Sequence, residues 1–236
     1  MSVVARAKSI LHRLPEIVDL RGHDKRAPGE LSLKARFARG AFWSLLGAVI
    51  SRAIAFISSV MVARMLGAEG FGEFGIVQST VFMFGVFAGF GMGLTATKFV
   101  AQYRTTDPSR AGNIIGLTLV VSAATGALLA IALFVLAPWL ADKTLHAPQI
   151  TPLLRMASAY LFLTALNGAQ IGALAGFEAY RKLMWVSIVS GIATFPLVIA
   201  GTWFFGVQGA ILASVGGAVI AWAITGFALR TAAKQA

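Results

Sequence analysis

The chain contains four long stretches without a single Asp, Glu, Lys or Arg residue, and these stretches limit what it can fold into. They cover residues 74–97, 111–141, 156–177 and 183–229. A largely apolar stretch of about 20 residues is long enough to cross the hydrocarbon core of a bilayer as a helix. Only 12% of the residues are charged, whereas an ordinary soluble domain has roughly a quarter. The composition excludes a water-soluble globular protein and a disordered chain, and it predicts an all-α, polytopic membrane protein.

The lengths of the apolar segments predict how many helices there are. As one helix, residues 183–229 would measure roughly 70 Å at ~1.5 Å per residue, so we expect a reversal at 203–209, where glycines interrupt a helix and aromatic residues suit the membrane interface. A further apolar segment, 41–63, contains one charged residue, Arg52. The prediction is a bundle of six transmembrane helices, at residues 41–63, 74–97, 113–138, 153–176, 183–204 and 207–229.

The distribution of positive charge predicts the orientation. If the N-terminus is inside, sixteen of the twenty Lys and Arg residues lie on the inner side and three on the outer side. Since Lys and Arg are enriched in cytoplasmic loops, both termini are expected in the cytoplasm. We assign a basic cytoplasmic tail to residues 1–40, a membrane lobe to 41–230 and a short cytoplasmic C-terminus to 231–236. Within the tail, residues 3–20 suit either a solvated segment or an amphipathic helix on the membrane surface.

Rows of small residues predict how the helices meet. Helices in lipid associate by close packing of small side chains, because the lipid gives them no hydrophobic reason to associate. The rows, at four-residue spacing, are Gly85, Gly89 and Gly93; Gly168, Gly172 and Gly176; and Gly209, Ala213, Gly217 and Ala221.

Arg52 is the most informative residue of the first predicted helix. At ~100° per residue the small and polar residues of that helix fall within an arc of roughly 140°; they are Ser44, Gly47, Ala48, Ser51, Arg52, Ala55, Ser58 and Ser59. An arginine at mid-membrane costs about 2.5–3.5 kcal/mol on insertion scales. Either Arg52 faces a hydrated cavity that takes an anion, for which its forked guanidinium is suited, or it binds backbone carbonyls or extends to an interface.

Gln78, Asn167 and Gln170 are the other deep polar side chains. They either line the same cavity as substrate-binding residues, together with Arg52, or form hydrogen bonds between helices. The chain has no cysteine, and its three histidines lie in the tail and one loop. We therefore expect no catalytic set, no metal site, no cofactor and no enzyme activity. The net charge of +11 is explained by anchoring loops, so no nucleic-acid partner is expected.

Three segments resemble a known family. They are FWSLLG at residues 42–47, ARMLGAEGFGEFG at 63–75 and FGMGLTATKFVA at 90–101. Together they are similar to the polysaccharide-export flippases, the O-antigen and exopolysaccharide transporters of the multidrug/oligosaccharidyl-lipid/polysaccharide superfamily. The Ala-Arg-x-Leu-Gly pattern, followed by Phe-Gly-x-Phe, is the most specific part of the match, which extends from residue 41 to about 230.

The resemblance implies an activity and an architecture. The implied activity is translocation of an undecaprenyl-diphosphate-linked oligosaccharide across a bacterial inner membrane. Family members have two lobes of six helices around a central, often cationic cavity, in which Arg52 would contact diphosphate or anionic sugar. Arg64, within the Ala-Arg-x-Leu-Gly pattern, is then a structural residue of the outer turn.

The departure from the family is length, because members are about twice this size. The chain is either a truncated member, a half-length lobe that pairs with a second lobe or with another copy, or a gene remnant. Two other functions remain open: a multidrug exporter of the same superfamily, or a membrane scaffold for polysaccharide-assembly enzymes. Neither an ion-coupling carboxylate nor the identity of the sugar is evident from the residues.

Overall fold

The structure, a computed structural model, describes residues 30–89 and 91–233. It consists of helices without a strand in those ranges, which confirms the all-α prediction. The helices are α1 (Glu30–Gly89), α2 (Met92–Tyr103), α3 (Pro108–Trp139), α4 (Thr151–Gly176) and α5 (Tyr180–Ala233), with a π-helical turn at Leu140–Thr144 and a 3-10 turn at Pro148–Ile150 before α4. Within the described ranges, three helical segments are long and apolar enough to cross a membrane: Leu45–Ala88, Pro108–Thr144 and Tyr180–Ala233.

Contacts divide the chain into two units, Met1–Arg39 and Gly40–Ala236. Of the first unit the structure describes only the start of α1, from Glu30, so the backbone is already helical in the last part of the predicted tail. The alternative of a surface helix at residues 3–20 lies outside the described residues. The second unit contains the helices that form the bundle.

Two of the long helices change direction at a glycine. The backbone leaves helical geometry at Gly67, with φ 70° and ψ −175°, and at Gly206, with φ 58° and ψ −136°. Positive φ is readily adopted by glycine because it has no Cβ. In α5 the two halves then pack against each other, with Gly209 on the carbonyl of Gly201 and Gly217 against Thr194. The predicted reversal at residues 203–209 is thereby confirmed.

The helix predicted at residues 74–97 is not continuous. α1 ends at Gly89, Gly91 adopts the left-handed conformation with φ 67° and ψ 12°, and α2 starts at Met92. Alternate glycines around residue 91 lower the cost of leaving the helix, an effect that hydropathy alone does not register. The row of Gly85, Gly89 and Gly93 is therefore divided between two helices.

Contacts between glycines fix the relative directions of neighbouring helices. Gly85 faces Leu161, and further along the chain Gly93 faces Gly172 and Val100 faces Gly176. In each pair the α4 residue is 76 to 79 positions later in the chain, so residue numbers increase in the same direction along both helices. α2 and the second half of α1 therefore run parallel to α4. In the same way Gly47 faces Met184 and Ile54 faces Gly191, so the first half of α1 runs parallel to the first half of α5.

The closest helix–helix approach lies between α2 and α4. A Cβ on Gly172 would fall on the Gly93 carbonyl, and a Cβ on Gly176 would lie 2.7 Å from the Cβ of Val100. The close approach lets the Thr97 hydroxyl donate to the Gly172 carbonyl at 2.9 Å as well as to the Gly93 carbonyl of its own helix. The glycine row of α4 thus forms backbone contacts, as predicted; in the row of α5, Gly209 lies on the Gly201 carbonyl and Gly217 contacts the Thr194 side chain.

Candidate functional site

The first half of α1 uses only one side to contact the bundle. Gly47 and Val62 are buried there, and Ser51, Ile54 and Ser58 are half-buried. A Cβ on Gly47 would lie 3.0 Å from the Cα of Met184, so this side packs tightly on α5. The small and polar residues predicted to share one arc of this helix therefore fall into two groups, and one group, which includes Gly47, Ser51 and Ser58, packs on α5.

The other part of the arc is a stripe of exposed residues that we name the Arg52 stripe. It consists of Ala48, Arg52, Ala55 and Ser59, which lie within roughly 60° of one another on a helix. The Arg52 guanidinium has no ion pair or hydrogen bond within the part of the chain that the structure describes. The alternative in which backbone carbonyls seal Arg52 is therefore not what the structure contains.

A cleft of about 250 Å³ lies between α1 and α5, beside the Arg52 stripe. Its polar groups are the hydroxyls of Ser51, Ser58, Ser59 and Thr194, and apolar residues of both helices form the rest. Ala55 and Ser59 belong to both the cleft and the stripe. Ser51 precedes Arg52 in the chain, and Ser58 and Ser59 lie nearly two helical turns further along. The cleft therefore places hydroxyls near the stripe that can hydrogen-bond an oxygen-rich ligand.

Gln78 lines a different and larger cavity, of about 670 Å³, between the second half of α1, α2 and α4. Tyr160 and Thr164 of α4 provide further polar groups, and the lining is otherwise mainly apolar. The helix break at Gly91 opens onto it. Non-helical backbone at membrane depth is tolerated where it is buried in protein or lines a water-filled cavity, so this position of the break is physically consistent.

Gln170 is buried and faces α5. With its amide oriented so that both ends are satisfied, Nε2 donates to the Trp222 carbonyl at 3.0 Å and Oε1 accepts from the Trp222 indole Nε1 at 3.2 Å. Gly226, one turn further on, leaves room for the amide, because a Cβ there would lie 3.2 Å from the amide atom that is Oε1 in this orientation. This contact corresponds to the interhelical alternative.

Asn167 lies one turn before Gln170 on α4. Its Oδ1 is buried and has no hydrogen-bond partner within the described ranges. Neither Asn167 nor Gln170 lines the Gln78 cavity, so the alternative in which the three amides share one cavity is not what the structure contains, and their role as substrate-binding residues stays a prediction. The reason is rotational: Gln170 projects roughly 150° away from the face of α4 that forms the cavity.

Sequence reasoning missed the polar residues that α4 and α5 bring to these cavities. Tyr160, Thr164 and Thr194 lie in otherwise apolar helices, where single hydroxyls are common and mostly bond their own backbone. Thr164, for example, donates to the Leu161 carbonyl at 2.9 Å. One pattern in the sequence could have indicated their role: Tyr160 and Thr164 lie on the same face of α4 as Gly168, and all three line the Gln78 cavity.

Charged groups concentrate at the helix ends. Arg104 forms an ion pair with Glu178 between the turns that follow α2 and α4. Arg155, at the start of α4, lies over the ring of Phe134 with 5.3 Å from Cζ to the centroid. Within residues 30–89 and 91–233, no group of three His, Asp or Glu side chains is placed to hold a metal ion. The arrangement of the described residues can bind and orient a polar ligand.

Residues 37–234 match the model of a protein family described as polysaccharide biosynthesis protein. The chain belongs to the polysaccharide biosynthesis protein family. The match covers most of the chain and confirms the resemblance to the polysaccharide-export proteins. It includes the Arg52 stripe, both cavities and the glycine contacts.

Two curated relatives are similar to this family member over most of its length. Stage V sporulation protein B of Bacillus subtilis is 23% identical over 193 residues, which are 78% of this chain and 37% of that protein. The EPS I polysaccharide export inner membrane protein EpsE of Ralstonia nicotianae is 28% identical over 182 residues, 77% of this chain and 40% of that protein. The chain thus spans about two fifths of the length of the relatives it matches. No solved structure matches it.

Proposed function

We propose that this membrane protein is one lobe of a flippase that moves an undecaprenyl-diphosphate-linked oligosaccharide across the bacterial inner membrane, for O-antigen or exopolysaccharide biosynthesis. The lobe is a multi-pass bundle of six transmembrane helices with both termini in the cytoplasm. Its membership of the polysaccharide biosynthesis family supports the substrate class, and the printed name of EpsE associates that relative with polysaccharide export at the inner membrane.

The observation that carries the proposal is the exposed position of Arg52. The residue lies halfway along an apolar helix, on a stripe of small residues beside a mainly apolar cleft that contains four hydroxyl groups. Exposure of a guanidinium to lipid at this depth costs about 2.5–3.5 kcal/mol. An anionic ligand or a hydrated cavity between two lobes removes that cost, because a guanidinium forms forked, charge-assisted hydrogen bonds with phosphate.

The directions of the helices support the six-span arrangement. If the chain crosses the membrane six times, the first and fifth spans run the same way, as do the second and fourth. The parallel contacts of α1 with α5 and of α2 with α4 fit this alternation. The glycines at positions 67 and 206 then mark two of the turns on the outer side.

The composition of the Arg52 stripe supports a two-lobe transporter in which this chain supplies one lobe. The stripe presents alanines and a serine rather than large apolar side chains. Small side chains let another helix approach closely. A second lobe or a second copy of the chain would cover this stripe and enclose Arg52.

The test is transport of a fluorescent undecaprenyl-diphosphate-linked oligosaccharide in vesicles that contain the purified chain and its second lobe. Arg52→Ala is expected to lower the initial rate at least tenfold, because one charged hydrogen-bonding group to phosphate is lost, and Arg52→Lys is expected to retain part of the rate. Arg181→Ala, at an exposed position at the start of α5, is the control and is expected to transport normally.

Full transport by Arg52→Ala would refute the anion site. Absence of transport by the unchanged chain, combined with copurification of a polysaccharide polymerase or glycosyltransferase, would favour the scaffold function instead. Proton-dependent efflux of an organic cation would favour the multidrug exporter. No feature of the described residues favours either of those two functions over the flippase.

A further inference from the structure

A third groove, separate from the Arg52 stripe and from the Gln78 cavity, lies between α2 and the beginning of α3. Its volume is about 460 Å³. Tyr103, Arg110 and Asn113 line one end, and Phe99, Leu117 and Val121 are among the residues that line the remainder. The polar end adjoins the turn between α2 and α3, and the remainder lies along two helices.

The groove is amphiphilic along its length. The α3 residues that line it extend from Arg110 to Val121, a rise of roughly 16 Å at ~1.5 Å per residue. Half of a typical hydrocarbon core is about 15 Å. A groove that is polar at one end and apolar for the depth of one leaflet has the dimensions of a single membrane lipid.

The polar end carries a positive charge with donors to spare. Arg110 lies over the ring of Tyr103, with 5.8 Å from Cζ to the centroid, and its Nε is 3.5 Å from Asp107 Oδ2. Its terminal nitrogens have no acidic partner among the residues for which the structure gives positions. The guanidinium therefore remains available to a phosphate.

Asp107 is already engaged by its own helix end. The Ser109 hydroxyl donates a hydrogen bond to Asp107 Oδ1 at 2.7 Å, and the backbone N–H of Arg110 donates to the same atom at 3.1 Å. These bonds hold the pKa of the Asp107 carboxyl below its ordinary value. The carboxylate thus caps α3 and anchors the turn. The carboxylate approaches Arg110 at Nε, so the two terminal nitrogens of the guanidinium remain available to other ligands.

We propose that this groove binds an anionic phospholipid of the inner leaflet, with the phosphate on Arg110 and Asn113 and an acyl chain along Phe99, Leu117 and Val121. The open side supports this occupant, since Leu117 is 63% exposed and the groove faces the surface that the apolar composition assigns to lipid. Charged or basic pockets between transmembrane helices on the cytoplasmic side are suited to anionic headgroups. The cytoplasmic position rests on the proposed topology; the lipid site itself does not depend on transport.

The experiment is native mass spectrometry of the purified chain released from nanodiscs that contain equal amounts of phosphatidylglycerol and phosphatidylcholine. The unchanged chain is expected to retain phosphatidylglycerol preferentially. Arg110→Gln is expected to lower that retention about fivefold, and Arg181→Gln, which removes an exposed arginine outside the groove, to leave it unchanged. Leu117→Trp keeps the charge and fills the groove, so it is expected to lower retention of both lipids.

Equal losses in Arg110→Gln and Arg181→Gln would overturn the site, because they would indicate a diffuse effect of surface charge. Unchanged retention in Leu117→Trp would also overturn it. Displacement of phosphatidylglycerol by undecaprenyl phosphate at equal mole fraction would overturn the assignment to phospholipid. Since no variant is assayed for transport, a failure here is distinguishable from a failure of the flippase proposal.

Discussion

At the scale of single residues, burial indicates whether a polar side chain packs between helices or can bind a ligand. Gln170 exchanges two hydrogen bonds with Trp222, so its polarity is used between helices. Arg52 is exposed on α1 with no partner in the described ranges, so its polarity is available to a ligand. Both are deep polar residues in the sequence, and only their neighbours distinguish them.

Gly172 and Gly168 allow a matched test of the contact between α2 and α4. A Cβ on Gly172 would fall on the Gly93 carbonyl, whereas a Cβ on Gly168 has open space. We expect Gly172→Ala to lower the free energy of unfolding by about 1–3 kcal/mol through overpacking. Gly168→Ala is expected to be neutral or to raise it by up to about 1 kcal/mol, since alanine favours the helix. Thermal unfolding in detergent, followed by tryptophan fluorescence, measures both; equal effects would contradict the contact.

At the scale of helices, glycines with positive φ determine where the long apolar segments stop being straight. Gly67, Gly91 and Gly206 all have φ between 58° and 70°. Gly67 and Gly206 each lie between two predicted transmembrane segments, where one helical stretch ends and the next begins. Gly91 interrupts a stretch within the apolar segment itself, and its backbone lines the Gln78 cavity.

The break in α5 should depend on the conformation of Gly206 rather than on its volume. A Cβ there meets nothing within 4 Å, and φ is +58°. Gly206→Ala is expected to lower the free energy of unfolding by about 1–3 kcal/mol, because φ 58° with ψ −136° is a combination that residues with a Cβ rarely adopt. Gly206→Asn should cost about as much, because asparagine is tolerated at positive φ mostly in the αL region, and this ψ lies outside it. Gly216→Ala, also in open space but without positive φ, is the control, and a loss of similar size there would argue against a conformational cause.

At the scale of the whole molecule, the helices of the described unit are arranged around α4. This helix contacts α2, α3 and α5, and Leu154, Leu161 and Leu174 on it are fully buried. The first half of α1 contacts α5 through one side only and leaves the Arg52 stripe uncovered. Under the proposed function, this uncovered stripe is the surface on which a second lobe would pack.

The proposed topology predicts that the two ends of α3 lie on opposite sides of the membrane. Because the chain lacks cysteine, single cysteines can be introduced without a background. Thr105→Cys, in the turn before α3, is expected to react with a membrane-impermeant maleimide only from the cytoplasmic side, and Lys143→Cys only from the periplasmic side. Leu128→Cys, in the middle of α3, should remain unlabelled. Labelling of positions 105 and 143 from the same side would refute the topology.

Much of the fold was predictable because hydropathy and glycine spacing act locally. The uncharged stretches predicted helices, and the glycines near residue 206 predicted the reversal of α5. The break at Gly91 was not predictable in this way, since its residues are as apolar as those of a continuous helix. The pairing of Gln170 with Trp222 was also hidden, because it joins residues far apart in the chain.

For the candidate site, the sequence predicted Arg52 as the unusual residue and Gln78 as a cavity residue, but it placed them together. In the structure Gln78 lines the larger cavity, whereas Arg52 lies on the exposed stripe beside the cleft between α1 and α5, since the first half of α1 packs on α5 and the second half on α4. Which face of a helix is used for packing depends on its neighbours, and a helical projection of one segment does not contain that information.

The sequence by itself determined that the chain is helical, suited to a membrane and a member of a polysaccharide biosynthesis family, because apolar length, charge and local motifs are properties of contiguous residues. The tertiary structure decided which polar groups are consumed between helices and which remain exposed. The physical reason is that a polar side chain in an apolar bundle is stabilised by whichever partner another helix brings to it, and Arg52 lies on the side of α1 to which no described helix brings one.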